Sequence, residues 1–329
     1  MDLQRVLANF SVSLYNNAMT QCSSCCLSPY AVLFELFIIH YACDKIAAAQ
    51  LRKVLFPGAR LYGNFRHFSS ALYGIPNTEE GDGLSFNSLV LLDKTYNFAS
   101  RFKRFIRVKT VRTSIEIVDF ADLASVSSVV NKKVKDESAN HLNGVMDETK
   151  LRTFYKLLLN NAAYFDGPSA EFFSSSFTKE EKFYMDDSDR SVTVQMMHKI
   201  FLLPYQETRE VQIVAFPFRP SVAIYIVLPW FNHTLKQIET SLTSKKLSNW
   251  LTSQYDYKVD VRIPKFTLQS TLKLKDALRN MGVRDIFDRY GSLPGISDNS
   301  MGLSVSEIFH EAVMQVDLNG KVSVNQHNN

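Results

Sequence analysis

The sequence predicts an α+β fold, and three observations carry that prediction. Apolar residues open the chain at helical spacing, with Leu3, Val6, Leu7, Phe10, Leu14 and Tyr15 marking an amphipathic helix over residues 2–18. Strand-type runs then interleave with helices, among them Leu84-Ser-Phe-Asn-Ser-Leu-Val-Leu-Leu-Asp93, Ser114-Ile-Glu-Ile-Val-Asp-Phe120 and a long apolar stretch over 153–165. No Pro/Gly/Ser-rich linker or charge block divides the 329 residues, so one domain over 1–329 is expected.

Composition narrows the classes further. With 46% hydrophobic and 21% charged residues the chain can bury a large core. A formal charge of +4 with interspersed signs gives no case for nucleic acid or membrane binding. The most apolar run, Ala31 to Cys43, is short for a membrane span and contains Glu35 and His40, so it reads as a buried helix. The first residues lack the basic start and apolar core of a secretory signal, which leaves two expectations: an extracellular protein whose signal was removed, or a cytoplasmic one. Cys22, Cys25, Cys26 and Cys43 are too few for a disulfide framework. Adjacent Cys25 and Cys26 on a strand would point apart, which favours free thiols or a local disulfide over a metal cluster.

In chain order, Cys25-Cys-Leu27 reads as a short strand, and Ser28-Pro29 starts the buried helix because proline suits a first turn. A helix is expected from Ala47 to Leu55, ending at Phe-Pro-Gly58, and another over 64–73. Residues 99–108 are helical in pattern, and the stretch 101–112 carries Arg101, Lys103, Arg104, Arg107, Lys109 and Arg112. This cluster is either a solvated face or a site for a sulfated polysaccharide or other polyanion. A polar helix is expected from Asp122 to Leu142. Asn9-Phe-Ser11 and Asn232-His-Thr234 fit the N-glycosylation pattern, which matters in a secreted protein.

Several motifs remain. Leu27-Ser-Pro29 precedes an apolar helix; Leu159-Asn-Asn-Ala-Ala-Tyr-Phe-Asp-Gly167, Val194-Gln-Met-Met197, Ala223-Ile-Tyr-Ile-Val-Leu-Pro229, Val261-Arg-Ile-Pro-Lys-Phe266, Leu278-Arg-Asn-Met-Gly-Val283 and Leu293-Pro-Gly-Ile296 come after it in that order. Ile308-Phe-His-Glu-Ala-Val-Met-Gln-Val-Asp-Leu-Asn-Gly320 alternates as a strand and then breaks. Each motif is weak alone, but the ordered set resembles the serpins, the family of conformational protease inhibitors, over nearly the whole chain. The resemblance implies a large mixed central sheet, two smaller sheets and about eight or nine helices.

The sequence offers no Gly-x-Ser-x-Gly elbow, phosphate-binding loop, His-Glu-x-x-His or spaced His/Cys set, so neither an enzyme, a cofactor nor a metal is expected. His310-Glu311 reads as structural rather than as an acid-base pair. The resemblance assigns Ser28, Asn161 and His310 to a buried polar cluster beneath the central sheet, with Ala31 where the family usually has a second serine. It assigns Gly320, Lys321, Val322, Ser323 and Val324 to the hinge of the reactive loop. In serpins a protease cleaves that loop and is trapped when the loop inserts into the central sheet as a new strand.

Here the hinge departs from the family. Lys321, Ser323, Asn325 and His327 fall on the alternate positions that would turn inward, and burying an unpaired ammonium costs several kcal/mol. Where insertion begins, Leu318 replaces the usual Glu partner of Lys265, and Ser169 replaces a Trp. The resemblance therefore implies an inhibitor of serine or cysteine proteases, with a non-inhibitory serpin-fold binding or carrier protein as the alternative. The expected partners are a target protease and, at Arg101, Lys103, Arg104 and Arg107, a polyanion, with neither nucleic acid nor membrane. The sequence stops before the family's cleavage site and later strands. It reads as a shortened sequence or as the amino-terminal fragment of a loop-cleaved monomer whose carboxy-terminal fragment is separate.

Overall fold

A computed structural model describes residues 3–21, 24–56, 84–109, 113–137, 144, 146–166, 173, 177–185, 190–219, 222–252, 255–288 and 292–316. Nine α-helices and ten strands lie among them. Helices α1 (Leu3–Ala18), α2 (Pro29–Ala42) and α3 (Lys45–Leu55) come first, followed by β1 (Leu84–Asp93), α4 (Ser100–Lys109), β2 (Thr113–Val118), α5 (Leu123–Glu137) and β3 (Leu157–Asp166). Then come β4 (Thr178–Tyr184), β5 (Ser191–Glu207), β6 (Val211–Arg219), β7 (Val222–Pro229), α6 (Leu235–Thr240), α7 (Ser244–Thr252), β8 (Tyr255–Pro264) and β9 (Phe266–Lys273). Helices α8 (Lys275–Asn280) and α9 (Asp285–Asp288) precede β10 (Glu307–Val316).

The residues fall into two compact units, one of 1–165 with 268–313 and one of 166–267 with 314–329. The first contains most of a five-stranded sheet ordered β2-β1-β3-β10-β9, in which β1 runs parallel to β2 and antiparallel to β3. Both faces of this sheet are covered. On one, Val90, Leu92, Leu157, Leu159 and Ile308 pack with side chains of α1 to α4. On the other, Leu89, Leu91, Leu158, Phe309 and Val313 pack with Val126, Val130 and Val134, which recur every fourth residue of α5. Burial on two faces is why these strands read as continuous apolar runs.

Helix α2 is apolar all round because it sits inside the core: every residue from Ala31 to Ile39 is buried. Its end is fixed by a close approach. Gly295 donates its N–H to the Ala42 carbonyl at 2.7 Å, and a Cβ on Gly295 would lie 2.5 Å from Ala42 Cα. The Leu-Pro-Gly-Ile motif thus has a glycine where no side chain fits.

In the second unit β4, β5, β6 and β7 are neighbours in that order and β8 also pairs with β5. Where the resemblance implies two smaller sheets, the described strands form one five-stranded sheet, because the 17-residue β5 pairs with β4 at its start, with β8 along its middle and with β6 at its end. Asn232 is exposed in the turn before α6, and Thr234 caps that helix.

Two sequence expectations need correction. Residues 25–27 form no strand, because the Cys26 backbone is occupied by a side chain: its N–H donates to Ser270 Oγ at 3.1 Å and its carbonyl accepts from that hydroxyl at 2.7 Å. The long strand begins at Leu157 rather than 153, because residues 153–154 turn and the Lys156 N–H is held by Ser306 Oγ at 2.8 Å. Cys25 is disulfide-bonded, whereas Cys26 and Cys43 are free thiols that burial pushes up to about 11 and about 12. The helix expected over 64–73, Cys22 and Arg112 lie outside the described residues.

Candidate functional site

The strand boundary between β3 and β10 gathers the buried polar residues of the first unit. The Ser306 N–H donates to the Leu157 carbonyl, and four residues further along both strands His310 meets Asn161, so β3 and β10 advance together as parallel neighbours. Among the described residues no strand lies between them.

Three elements place the cluster. Ser28 ends the segment before α2 in an extended conformation and caps the helix, its Oγ accepting from the Ala31 N–H at 3.3 Å. Asn161 sits opposite Ser88 in the β1–β3 register, and His310 lies one strand further on. The Ser28 N–H donates to His310 Nε2 at 2.9 Å, which leaves Nδ1 to carry the proton and donate to Asn161 Oδ1. The imidazole is therefore neutral and in one tautomer. Burial lowers its pKa to about 3, and protonation would aim a second N–H at that of Ser28.

The cluster extends to an acid. Glu35 of α2 is fully buried and accepts from Ser88 Oγ at 3.0 Å. Burial pushes its carboxyl up to about 8, against the opposing influence of Asn161 and Ser88, so at neutral pH it is protonated. Asn161 thus stands between His310 on the neighbouring strand and Glu35 on the helix beneath. Beside it Ala31, Ala163 and Ala312, one each from α2, β3 and β10, pack as a small apolar group. The serine that the resemblance leads one to expect at position 31 is replaced by a three-alanine contact.

Of the residues singled out in the sequence, the structure links Ser28, Asn161 and His310 by hydrogen bonds. It adds Glu35 and Ser88, which that reading had not included. The visible signal for Glu35 was an acid inside a helix otherwise apolar on every side. Asn160 and Glu311 occupy the opposite face of the same strand pair, so Glu311 cannot serve His310 as an acid-base partner.

The other predicted positions stand apart. Arg101, Lys103, Arg104 and Arg107 are exposed on α4, whose Phe102, Phe105 and Ile106 are buried. Arg101 donates to the Pro294 carbonyl, and none of the four is ion-paired with a described residue. Lys265 is half-buried in the second unit, its N–H bonded to the Gln195 carbonyl at 2.9 Å. Ser169, Leu318 and Gly320 to Val324 lie outside the described residues. No helix among those described is long and apolar enough to cross a membrane.

A family model described as serpin (serine protease inhibitor) matches residues 5–327. The chain belongs to the serpin family. Serpin B3 of Homo sapiens is 29% identical over 265 residues, which cover 78% of this chain and 67% of that protein. The leukocyte elastase inhibitor of Xenopus tropicalis is 25% identical over 331 residues, covering 97% of this chain and 87% of its own. Among solved structures, mouse protein-Z dependent protease inhibitor superposes with a TM-score of 0.85 at 19% identity, covering 97% of this chain and 86% of that one, which establishes the serpin fold.

Proposed function

We propose that this serpin inhibits a serine protease by cleavage of its reactive loop and entry of that loop as a new strand between β3 and β10. The observation that carries the reading is the boundary itself: parallel neighbours whose side-chain link depends on Ser28, His310 and Asn161 and can open without leaving the sheet's outer strands. Such a link keeps a sheet closed while leaving a defined line along which it parts. Incubation with trypsin-, chymotrypsin- and elastase-like enzymes tests the reading. Inhibition predicts a complex that survives SDS and, on limited proteolysis of the loop, a large rise in melting temperature. Absence of both rejects it.

A second reading, a non-inhibitory binding or carrier protein, is favoured by Lys321. On insertion its ammonium would take the first inward hinge position, and Leu318 leaves Lys265 without the acid that the family usually supplies there. Cleavage without a rise in melting temperature supports this reading.

A polyanion is the proposed further partner. Four cations on α4, exposed and without acidic neighbours on that helix, form a face suited to a sulfated polysaccharide. Retention on heparin-agarose that drops when Arg101, Lys103, Arg104 and Arg107 are replaced by Gln supports it; unchanged retention rejects it.

A further inference from the structure

Asn160 and Asn161 are adjacent on β3 and so point to opposite faces of the sheet. Each meets a fully buried carboxyl group. Asn161 faces Glu35 on the side of α2, whereas Asn160 Nδ2 donates to Glu311 Oε2 of β10 at 3.4 Å on the side of α5. The second contact belongs to no part of the Ser28–His310 link, yet it crosses the same strand boundary. Asn160 Oδ1 and Glu311 Oε1 are both buried without a hydrogen-bond partner.

We infer that Asn160 and Glu311 form a second latch across β3 and β10, an amide–acid pair that must part before a strand can enter, and that its proton controls how readily the boundary opens. The inference rests on the insertion reading. Neighbouring strands lie about 4.8 Å apart, so admitting one strand roughly doubles the β3–β10 separation. No direct contact between Asn160 and Glu311 survives that movement.

A neutral carboxylic acid complements a primary amide, since it accepts from the NH2 group through one oxygen and donates to the carbonyl through the other. Protonated Glu311 therefore supplies the donor that Asn160 Oδ1 lacks. Burial pushes the Glu311 carboxyl up to about 8, with Asn160 and the Lys150 ammonium opposing, so the acid form holds at neutral pH. The charged groups of that face are few. Lys150 bonds Thr271 Oγ1 at 3.4 Å and lies 3.8 Å from Asp147; Lys273 of β9 stands over the Phe309 ring. Tyr155, Tyr164 and the buried Glu307, four residues before Glu311 on β10, are the further titratable side chains there, and α5 contributes Val126, Val130 and Val134. Ionisation places two acceptor groups face to face in an apolar layer, which favours the open boundary.

The test measures entry of an N-acetylated peptide of alternating Thr and Ala, matched to the ten residues of β10, into the intact protein between pH 6 and 9, by native gel shift and melting temperature. The wild type should take up the peptide at least about fivefold faster at pH 9 than at pH 6.5. Glu311→Gln, which keeps one hydrogen bond and cannot ionise, should flatten that profile. The double variant Asn160→Leu/Glu311→Met, which keeps the layer packed, should incorporate peptide about tenfold faster at pH 7, the change expected from one lost hydrogen bond of about 1.4 kcal/mol. If both variants follow the wild-type rate and pH profile while His310→Ala accelerates entry, the latch is wrong and insertion stands. If no peptide enters any variant, His310→Ala included, the insertion reading fails and the latch with it.

Discussion

His310 of β10 donates its Nδ1 proton to Asn161 of β3 while its Nε2 accepts from the Ser28 N–H, so one neutral imidazole ties two strands and a helix start together. Both bonds depend on the protonation state. His310→Ala leaves Asn161 Oδ1 and the Ser28 N–H without partners and opens a cavity. A loss of about 3 kcal/mol in unfolding free energy is expected, read from the urea midpoint. The acid limb of stability should change as well. Because the folded pKa lies below the ordinary value of 6.5, the unfolded state binds the extra proton between about pH 3 and 6.5, and stability falls as pH falls through that window. The variant should lack this contribution.

Glu35 gives the opposite slope. Its folded pKa, about 8 by burial, lies above the ordinary 4.5, so its protonated form adds stability that is fully present below pH 4.5 and is lost as pH rises through about 8. Each such carboxyl contributes a slope of about 1.4 kcal/mol per pH unit. Above pH 6.5, where His310 no longer offsets them, Glu35 and Glu311 act together. Denaturation midpoints of the wild type should therefore decline from pH 6.5 to 8, and Glu35→Gln should make that decline shallower. An unchanged slope would mean that Glu35 stays ionised in the folded protein.

Gly295→Ala should destabilise by about 3 kcal/mol without touching the polar cluster. The added Cβ meets Ala42 backbone atoms at 2.5 and 2.6 Å, and neither is the end of a flexible side chain that could move aside. Thermal unfolding measures the loss. A variant as stable as the wild type would contradict the close packing of this turn against the end of α2.

Much of this fold was readable from residue pattern because its elements are locally consistent. Leu84–Asp93 is a strand with both faces buried, and Leu3–Ala18 keeps helical spacing throughout. Residues 25–27 misled because their backbone is bound by Ser270, a side chain 244 positions away that no local pattern encodes. The site divides in the same way. Ser28, Asn161 and His310 are singled out by family resemblance, not by chemistry legible in any one segment. Glu35 and Glu311 were visible as acids in apolar runs, but their roles depend on which strand or helix faces them. That Ala31 stands where the family usually has a second serine is readable in sequence, yet only the structure shows it packed against Ala163 and Ala312.

The proposed inhibition and the alternative of a binding role make different predictions for Lys321. In the insertion mechanism the first inward hinge side chain must enter the boundary between β3 and β10, and an ammonium that finds no partner there is costly to bury. Even after relaxation an unpaired buried cation costs several kcal/mol, and only 1.4 kcal/mol of that in the barrier slows insertion about tenfold. Lys321→Thr should therefore speed formation of the heat-resistant form after loop cleavage by at least about tenfold, and should raise the fraction of protease held in SDS-stable complex. If the variant inserts no faster than the wild type, Lys321 stays in solvent during the rate-limiting step and the hinge does not limit inhibition.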